Sequence, residues 1–376
     1  MKYKFIILVA VLFLIPLSLH AESARKYIDQ GITKAQDGDI KGAISDFNKA
    51  IKKDPHSAEA YYSRGVAKAS IGDMNGALAD YNKSIELNET SSFAYINRAN
   101  VKDELGDKTG AIEDFNRGIE LNPKFAMAYN NRGTTKKDLG DSDGAKADYL
   151  KAIQIDPAFA MPYNNLGNLN SSQGFLEQAL MDFDKAIQLN PNFAVAYFNR
   201  ANVKNDLGQY EEAIKDYTKV IELNPNYFSA YNNIGNVKSK QKDYDEALKD
   251  YEKAVELNPE FAMGYYNIGL SYYNLNKYNE AVSNYNKAIE LDSKFAQAYE
   301  KRGKAKGVLK DYDRALSDFT MAINLDPQFG DAYYGSGYTK ILMENTESGC
   351  ADVKKAVIIG VKDSLKLLKQ HCNQKP

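Results

Sequence analysis

AMAYNNRGTTKKDLGDSDGAKADYLKAIQIDPAF, residues 126–159, reads as two helices and two stops. In its first half Tyr129, Gly133 and Lys136 recur at i, i+4 and i+7, which is one face of a helix. Leu139-Gly140-Asp141 breaks that helix. Glycine suits the left-handed position after a helix end, and aspartate caps the next helix. Ala145, Tyr149, Ala152 and Ile153 then fall at helical spacing, and Asp156-Pro157 ends the second helix. Proline has no amide hydrogen and restricts the residue before it. Small residues at Gly133, Ala145 and Ala152 predict a close approach of the two helices, with the ring of Tyr149 filling the space between them.

The stretch is one copy of many. Tyrosine recurs every 34 residues from Tyr27 to Tyr333, and Gly or Ala follows four residues after each. A fixed period of this size predicts a solenoid, in which each unit buries its apolar face against its neighbours. With Ala24 as position 1, nine units start at 24, 58, 92, 126, 160, 194, 228, 262 and 296 and fill 24–329 without an insertion. A tenth unit from Gly330 decays, since Gly349 stands for the usual Ala and Val353 for the aromatic. A last amphipathic helix is expected over about 363–372 within the segment 330–376. Leu365, Leu368 and Cys372 lie on one stripe there, and Lys366, Lys369 and Gln370 on the other. A polar outer face suits a terminal cap.

These positions resemble the tetratricopeptide repeat family. The resemblance rests on small residues at positions 8, 20 and 27, an aromatic at 24 and Pro at 32 in most units. Tyrosine replaces the family's frequent tryptophan at position 4, and Glu89 and Ser293 replace Pro. Lys242, Asn276 and Lys310 stand where earlier units have the turn glycine. The resemblance implies an all-α, right-handed α-solenoid of nine to ten helix-turn-helix repeats with a C-terminal capping helix. It also implies that the first helices line a concave groove.

Lys2 and Lys4 precede an apolar stretch from Phe5 to Leu17, and Leu19-His20-Ala21 offers a small residue before Glu22. Residues 1–21 therefore read as a signal peptide, and an exported protein, periplasmic or secreted, is expected. An uncleaved anchor is the alternative, although the stretch is short for a membrane span. Cys350 and Cys372 are the only cysteines, and in an exported protein they are expected to form a disulfide rather than remain two buried thiols. With three histidines, one of them in the signal, no metal site of ordinary spacing can be assembled. The net charge of -2 offers nothing to a polyanion, so no nucleic acid is expected as a partner.

The candidate site is a row of asparagines. Position 6 is Asn97, Asn131, Asn165, Asn199, Asn233 and Asn267 in six consecutive units, and position 9 adds Asn100, Asn168, Asn202 and Asn236. Asparagine is a mediocre helix former, so propensity does not explain the recurrence. Its amide offers both a donor and an acceptor, and a row of amides can pair with the backbone of an extended peptide of any sequence. The row resembles the asparagine ladder of the O-GlcNAc transferase superhelix. The alternative is inheritance by repeat duplication, or hydrogen bonding between helices.

The recurrent Arg64, Arg98, Arg132, Arg200 and Arg302 read as stems packed between repeats, since Leu166, Ile234 and Ile268 replace them elsewhere. No phosphate loop, G-x-S-x-G, H-E-x-x-H or Cys/His pair is present, so neither an enzyme nor a cofactor is expected. The reading is a non-catalytic scaffold or adaptor that binds a protein or peptide partner in an asparagine-lined groove. The alternative is a structural envelope component that self-associates.

Overall fold

A computed structural model describes residues 19–372 of the chain. The segment read as a signal lies outside the described residues except for Leu19–Ala21, which begin the first helix. The described residues form twenty-one α-helices and no strands. They fall into two units, one ending at Pro191 and the other beginning at Asn192.

In the first unit the helices are α1 (Leu19–Gln36), α2 (Ile40–Lys53), α3 (Ala58–Ser70), α4 (Met74–Leu87), α5 (Ser92–Glu104), α6 (Lys108–Leu121), α7 (Ala126–Asp138), α8 (Ser142–Ile155), α9 (Ala160–Ser172) and α10 (Leu176–Leu189). The second unit holds α11 (Ala194–Asp206), α12 (Tyr210–Leu223), α13 (Phe228–Lys240), α14 (Tyr244–Leu257), α15 (Ala262–Asn274), α16 (Tyr278–Leu291), α17 (Ala296–Val308), α18 (Tyr312–Leu325), α19 (Gly330–Leu342), α20 (Thr346–Ile359) and α21 (Ser364–His371). The chain is thus an all-α repeat solenoid, built of helix pairs. From α3 to α19 every first helix opens on the residue that the 34-residue count gives. The count continues one step further, because α21 opens at Ser364, 34 residues after Gly330.

Local chemistry sets these ends. Asp39, Asp73, Asp107 and Asp141 each accept the N–H of a glycine three residues on, at 2.9–3.0 Å, and so cap the second helix of their pair. Asp54, Asn122 and Asp156 close second helices, and each side chain also accepts the N–H two residues later, at 3.0–3.3 Å. The turn glycines Gly38, Gly72, Gly106 and Gly140 sit at φ between +85° and +90°. Lys242, Asn276, Lys310 and Glu344 hold the same left-handed turn at φ +61° to +65°, where side chains are disfavoured.

Within each pair the aromatic at position 24 lies against the small residue at position 8. A Cβ on Gly133 would stand 2.8 Å from the Tyr149 ring, and one on Gly269 would stand 2.6 Å from the Tyr285 ring. The rings of Tyr81, Tyr149, Tyr217 and Tyr285 are fully buried. In the first unit α1, α3, α5, α7 and α9 touch in series, and in the second α13, α15, α17 and α19 do. Second helices of adjacent repeats make no comparable contact, so the first helices form the closer-packed, inner side of each unit.

Candidate peptide-binding face

The position-6 asparagines sit one and a half turns into first helices, on that inner side. Asn97, Asn131, Asn165, Asn199 and Asn233 are half-buried, and Asn267 is buried. Asn168, Asn202 and Asn236 at position 9 are half-buried as well. Position 5 differs: Asn130, Asn164 and Asn232 are buried.

In the first unit Asn97 Nδ2 donates to Tyr62 Oη at 2.9 Å, and Asn131 Nδ2 donates to Asn100 Oδ1 at 3.0 Å. Asn165 Nδ2 donates to Asn130 Oδ1 at 2.9 Å, reaching back across one repeat. Burial pushes the Tyr62 hydroxyl up to about 12, so it stays protonated at neutral pH. The second unit repeats the pattern. Asn233 Nδ2 donates to Asn202 Oδ1 at 3.0 Å, and Asn267 Nδ2 donates to Asn232 Oδ1 at 2.9 Å and to Asn236 Oδ1 at 3.3 Å. Tyr217 and Tyr251 donate their hydroxyls to Asn202 and Asn236 at 2.6 and 2.9 Å. The amides are therefore linked from repeat to repeat. Asn131 and Asn165 also accept from Asn130 and Asn164, at 3.2 and 3.4 Å. A primary amide has two N–H groups and two lone pairs, so one of each is left to both. Asn233, which also donates to Tyr217 and accepts from Asn232 and Asn236, is filled.

The row ends at α17. Position 5 there is Glu300, fully buried and paired with Lys301 at 3.0 Å and Lys304 at 2.6 Å. Beyond it a groove of about 320 Å³ opens among Tyr273, Lys304, Val308, Tyr334, Tyr338 and Leu342.

A second network, on the other side of the same helices, escaped the sequence reading in part. Arg64, Arg98, Arg132, Arg200 and Arg302 each grip an aspartate sixteen residues on, namely Asp80, Asp114, Asp148, Asp216 and Asp318. Each uses Nε and Nη2, at 2.6–2.9 Å. A lysine at position 11 reaches the same carboxylate at 2.7–2.8 Å. Each guanidinium also lies over the tyrosine three residues before it, 5.3–5.5 Å from the ring centre. The arginines are spent inside the fold, as their packing reading requires. Their aspartate partners recur every 34 residues too, which is the signal that could have revealed them.

Where the arginine is lost, the carboxylate changes character. Asp182, opposite Leu166, accepts from Asn170 at 2.7 Å and is held above the usual carboxylate range by burial. Asp250, opposite Ile234, keeps Lys238 at 2.7 Å and is also raised by burial. In the pair α15–α16 the whole set is replaced together, by Ile268, Tyr272 and Asn284.

At the C-terminal end Cys350 and Cys372 are joined as a disulfide, with 5.6 Å between their Cα atoms. No group of three or more His, Cys, Asp or Glu side chains among the described residues is placed to hold a metal ion. No helix among them is long and apolar enough to cross a membrane.

Family models described as tetratricopeptide repeat or TPR repeat match between residues 33 and 307, with one of them at 33–72, 135–174, 201–242 and 269–307. The chain belongs to the tetratricopeptide repeat family. Among solved structures, a tetratricopeptide repeat protein from Parabacteroides merdae is 21% identical, covers 66% of this chain and 99% of its own, and superposes with a TM-score of 0.54. The APC/C hetero-tetramer Cut9-Hcn1 is 14% identical, covers 94% and 85%, and also scores 0.54. Both share the fold. YrrB, described as a TPR protein with an unusual peptide-binding site, is 29% identical over 49% of this chain and 95% of its own, with a TM-score of 0.41. No curated protein matches the chain. A tetratricopeptide repeat protein is an interaction scaffold for protein or peptide partners, and no enzyme family is among the matches.

Proposed function

We propose that this tetratricopeptide scaffold is exported and binds extended peptide segments through the amides of its first-helix faces. One observation carries the reading: amides recur at a constant 34-residue interval, and the half-exposed Asn131, Asn165 and Asn233 are each held in place by a bond to a neighbouring repeat. An amide fixed before the ligand arrives loses little rotamer freedom on binding. At Asn131 and Asn165 the remaining N–H and lone pair suit a peptide group, which offers one donor and one acceptor. The groove beside Tyr334 and Tyr338 would take a large side chain of the same segment. Export rests on the basic and apolar residues before Glu22.

The paired change Asn131→Ala with Asn165→Ala lies within one unit. It is expected to weaken binding of a captured partner about tenfold or more, since each lost hydrogen bond costs about 1 kcal/mol. The helical signal should persist, and Lys185→Ala on the outer side should bind as wild type. A folded double variant with undiminished affinity would make the amide row a stack-stiffening device only. Protein recovered from its host is expected to begin near Glu22. Intact Met1 on cytoplasmic protein would remove export from the reading.

A further inference from the structure

The last helix pair breaks the charge pattern of the chain. Residues 351–376 hold six lysines against two aspartates, whereas the preceding 350 residues hold 42 basic against 48 acidic side chains. One of the two aspartates is internally neutralised, because Asp352 accepts Lys340 at 2.7 Å. Lys354, Lys362, Lys366 and Lys369 are exposed, and none of them is in an ion pair among the described residues.

The same region breaks the hydropathy pattern. Ile358, at position 29 of the tenth repeat, is 78% exposed, more than any other large apolar side chain among the described residues. Position 29 is polar in all nine earlier repeats, from Lys52 and Glu86 to Glu290 and Asn324. Leu365, just beyond the turn, is 48% exposed. The turn itself is rewritten: where earlier repeats mostly have Asp-Pro or Asn-Pro, this one runs Gly360-Val361-Lys362-Asp363, with Gly360 at φ +101°. Ile358 and Leu365 thus sit on the two sides of one turn within eight residues of chain, flanked by lysines, while Val361 between them packs against Gly330. The disulfide fastens α21 to α20 and holds the two sides of the turn together.

We propose that the α20–α21 turn is a docking point for an anionic phospholipid surface. Aliphatic tips with flanking lysines suit the boundary of a bilayer, where the apolar groups enter and the ammonium groups meet headgroups. A protein partner is the poorer fit, because protein interfaces favour tyrosine, tryptophan and arginine and are depleted in lysine. The contact would be peripheral and salt-sensitive, and it lies apart in sequence from the asparagine row.

The chain has no tryptophan, so one introduced at the turn reports on it alone. Full-length Ile358→Trp is mixed with phosphatidylcholine vesicles, with and without phosphatidylglycerol. Its emission is expected to shift to the blue only with the anionic vesicles and to return when salt is added. Adding Lys362→Glu and Lys366→Glu should weaken that response about tenfold or more. Met181→Trp, on an exposed site of the first unit, should not respond. The apolar N-terminal stretch does not confuse this readout, since the dye is local to the turn. An Ile358→Trp spectrum unchanged by anionic vesicles overturns the proposal, as does an equal response to neutral ones. A blue shift on concentrating the protein without lipid would assign the turn to self-association instead. Loss of peptide binding in the asparagine variants would leave all of these outcomes untouched.

Discussion

Asp182 keeps the carboxylate of its row after the arginine has gone. Its sisters Asp80, Asp114 and Asp148 each face a guanidinium and an ammonium, while Asp182 has the Asn170 amide. Burial outweighs the Asn170 and Gln178 amides and the charge of Lys146, and the carboxyl responds by holding its proton more tightly. Below 3.8, the ordinary value, folded and unfolded chains are both protonated and the site is neutral to stability. As pH rises past that value the unfolded chain ionises first. Stability is then lost until the raised folded value is passed. Asp182→Asn removes this titration. It is expected to be more stable than wild type at neutral pH, with the gap closing as pH falls to about 4. Urea unfolding at several pH values measures it, and a gap that widens on acidification would contradict the argument.

At the scale of the element, the starts of nine first helices were legible to the residue, because tyrosine, glycine and alanine recur on a strict count and their spacing is helical. The aromatic filling between paired helices was legible as well, from Gly133 and Tyr149. The arginine partners were missed, because either period alone reports only the face a residue occupies, and the pairing emerges only when the two periods are set side by side. Arg132 and Asp148 belong to different helices, and the aspartate alone looks like surface charge. Nor could the sequence show that Asn131 and Asn165 bond to the amides of the preceding repeat. The loss of the turn glycine in α17–α18 was visible, and the structure supplies its consequence: Lys310 stays left-handed at φ +64°. Lys310→Gly should therefore stabilise the second unit by about 0.5–1 kcal/mol, the left-handed penalty less the extra freedom of an unfolded glycine. Slower amide exchange in α17 and α18 would register the gain.

At the scale of the whole molecule, the consequence of an unbroken count is that one kind of joint recurs from repeat to repeat within each unit. Phe125 leads into Ala126 by the same turn that leads Phe159 into Ala160. Each helix pair behaves as an interchangeable cassette, and length becomes a parameter that can be edited without redesigning a core. Excising residues 126–159 would splice Phe125 to Ala160 and hand α9 the surface that α7 vacated. That shortened protein is expected to stay soluble, with the wild-type helical signal per residue. Removing 126–141 instead deletes α7 and its turn and leaves α8 without the Gly133 against which its Tyr149 ring packs. It should lose cooperative melting and yield to protease. Circular dichroism and limited proteolysis of the two deletions would separate a molecule that counts in whole repeats from one that merely contains them.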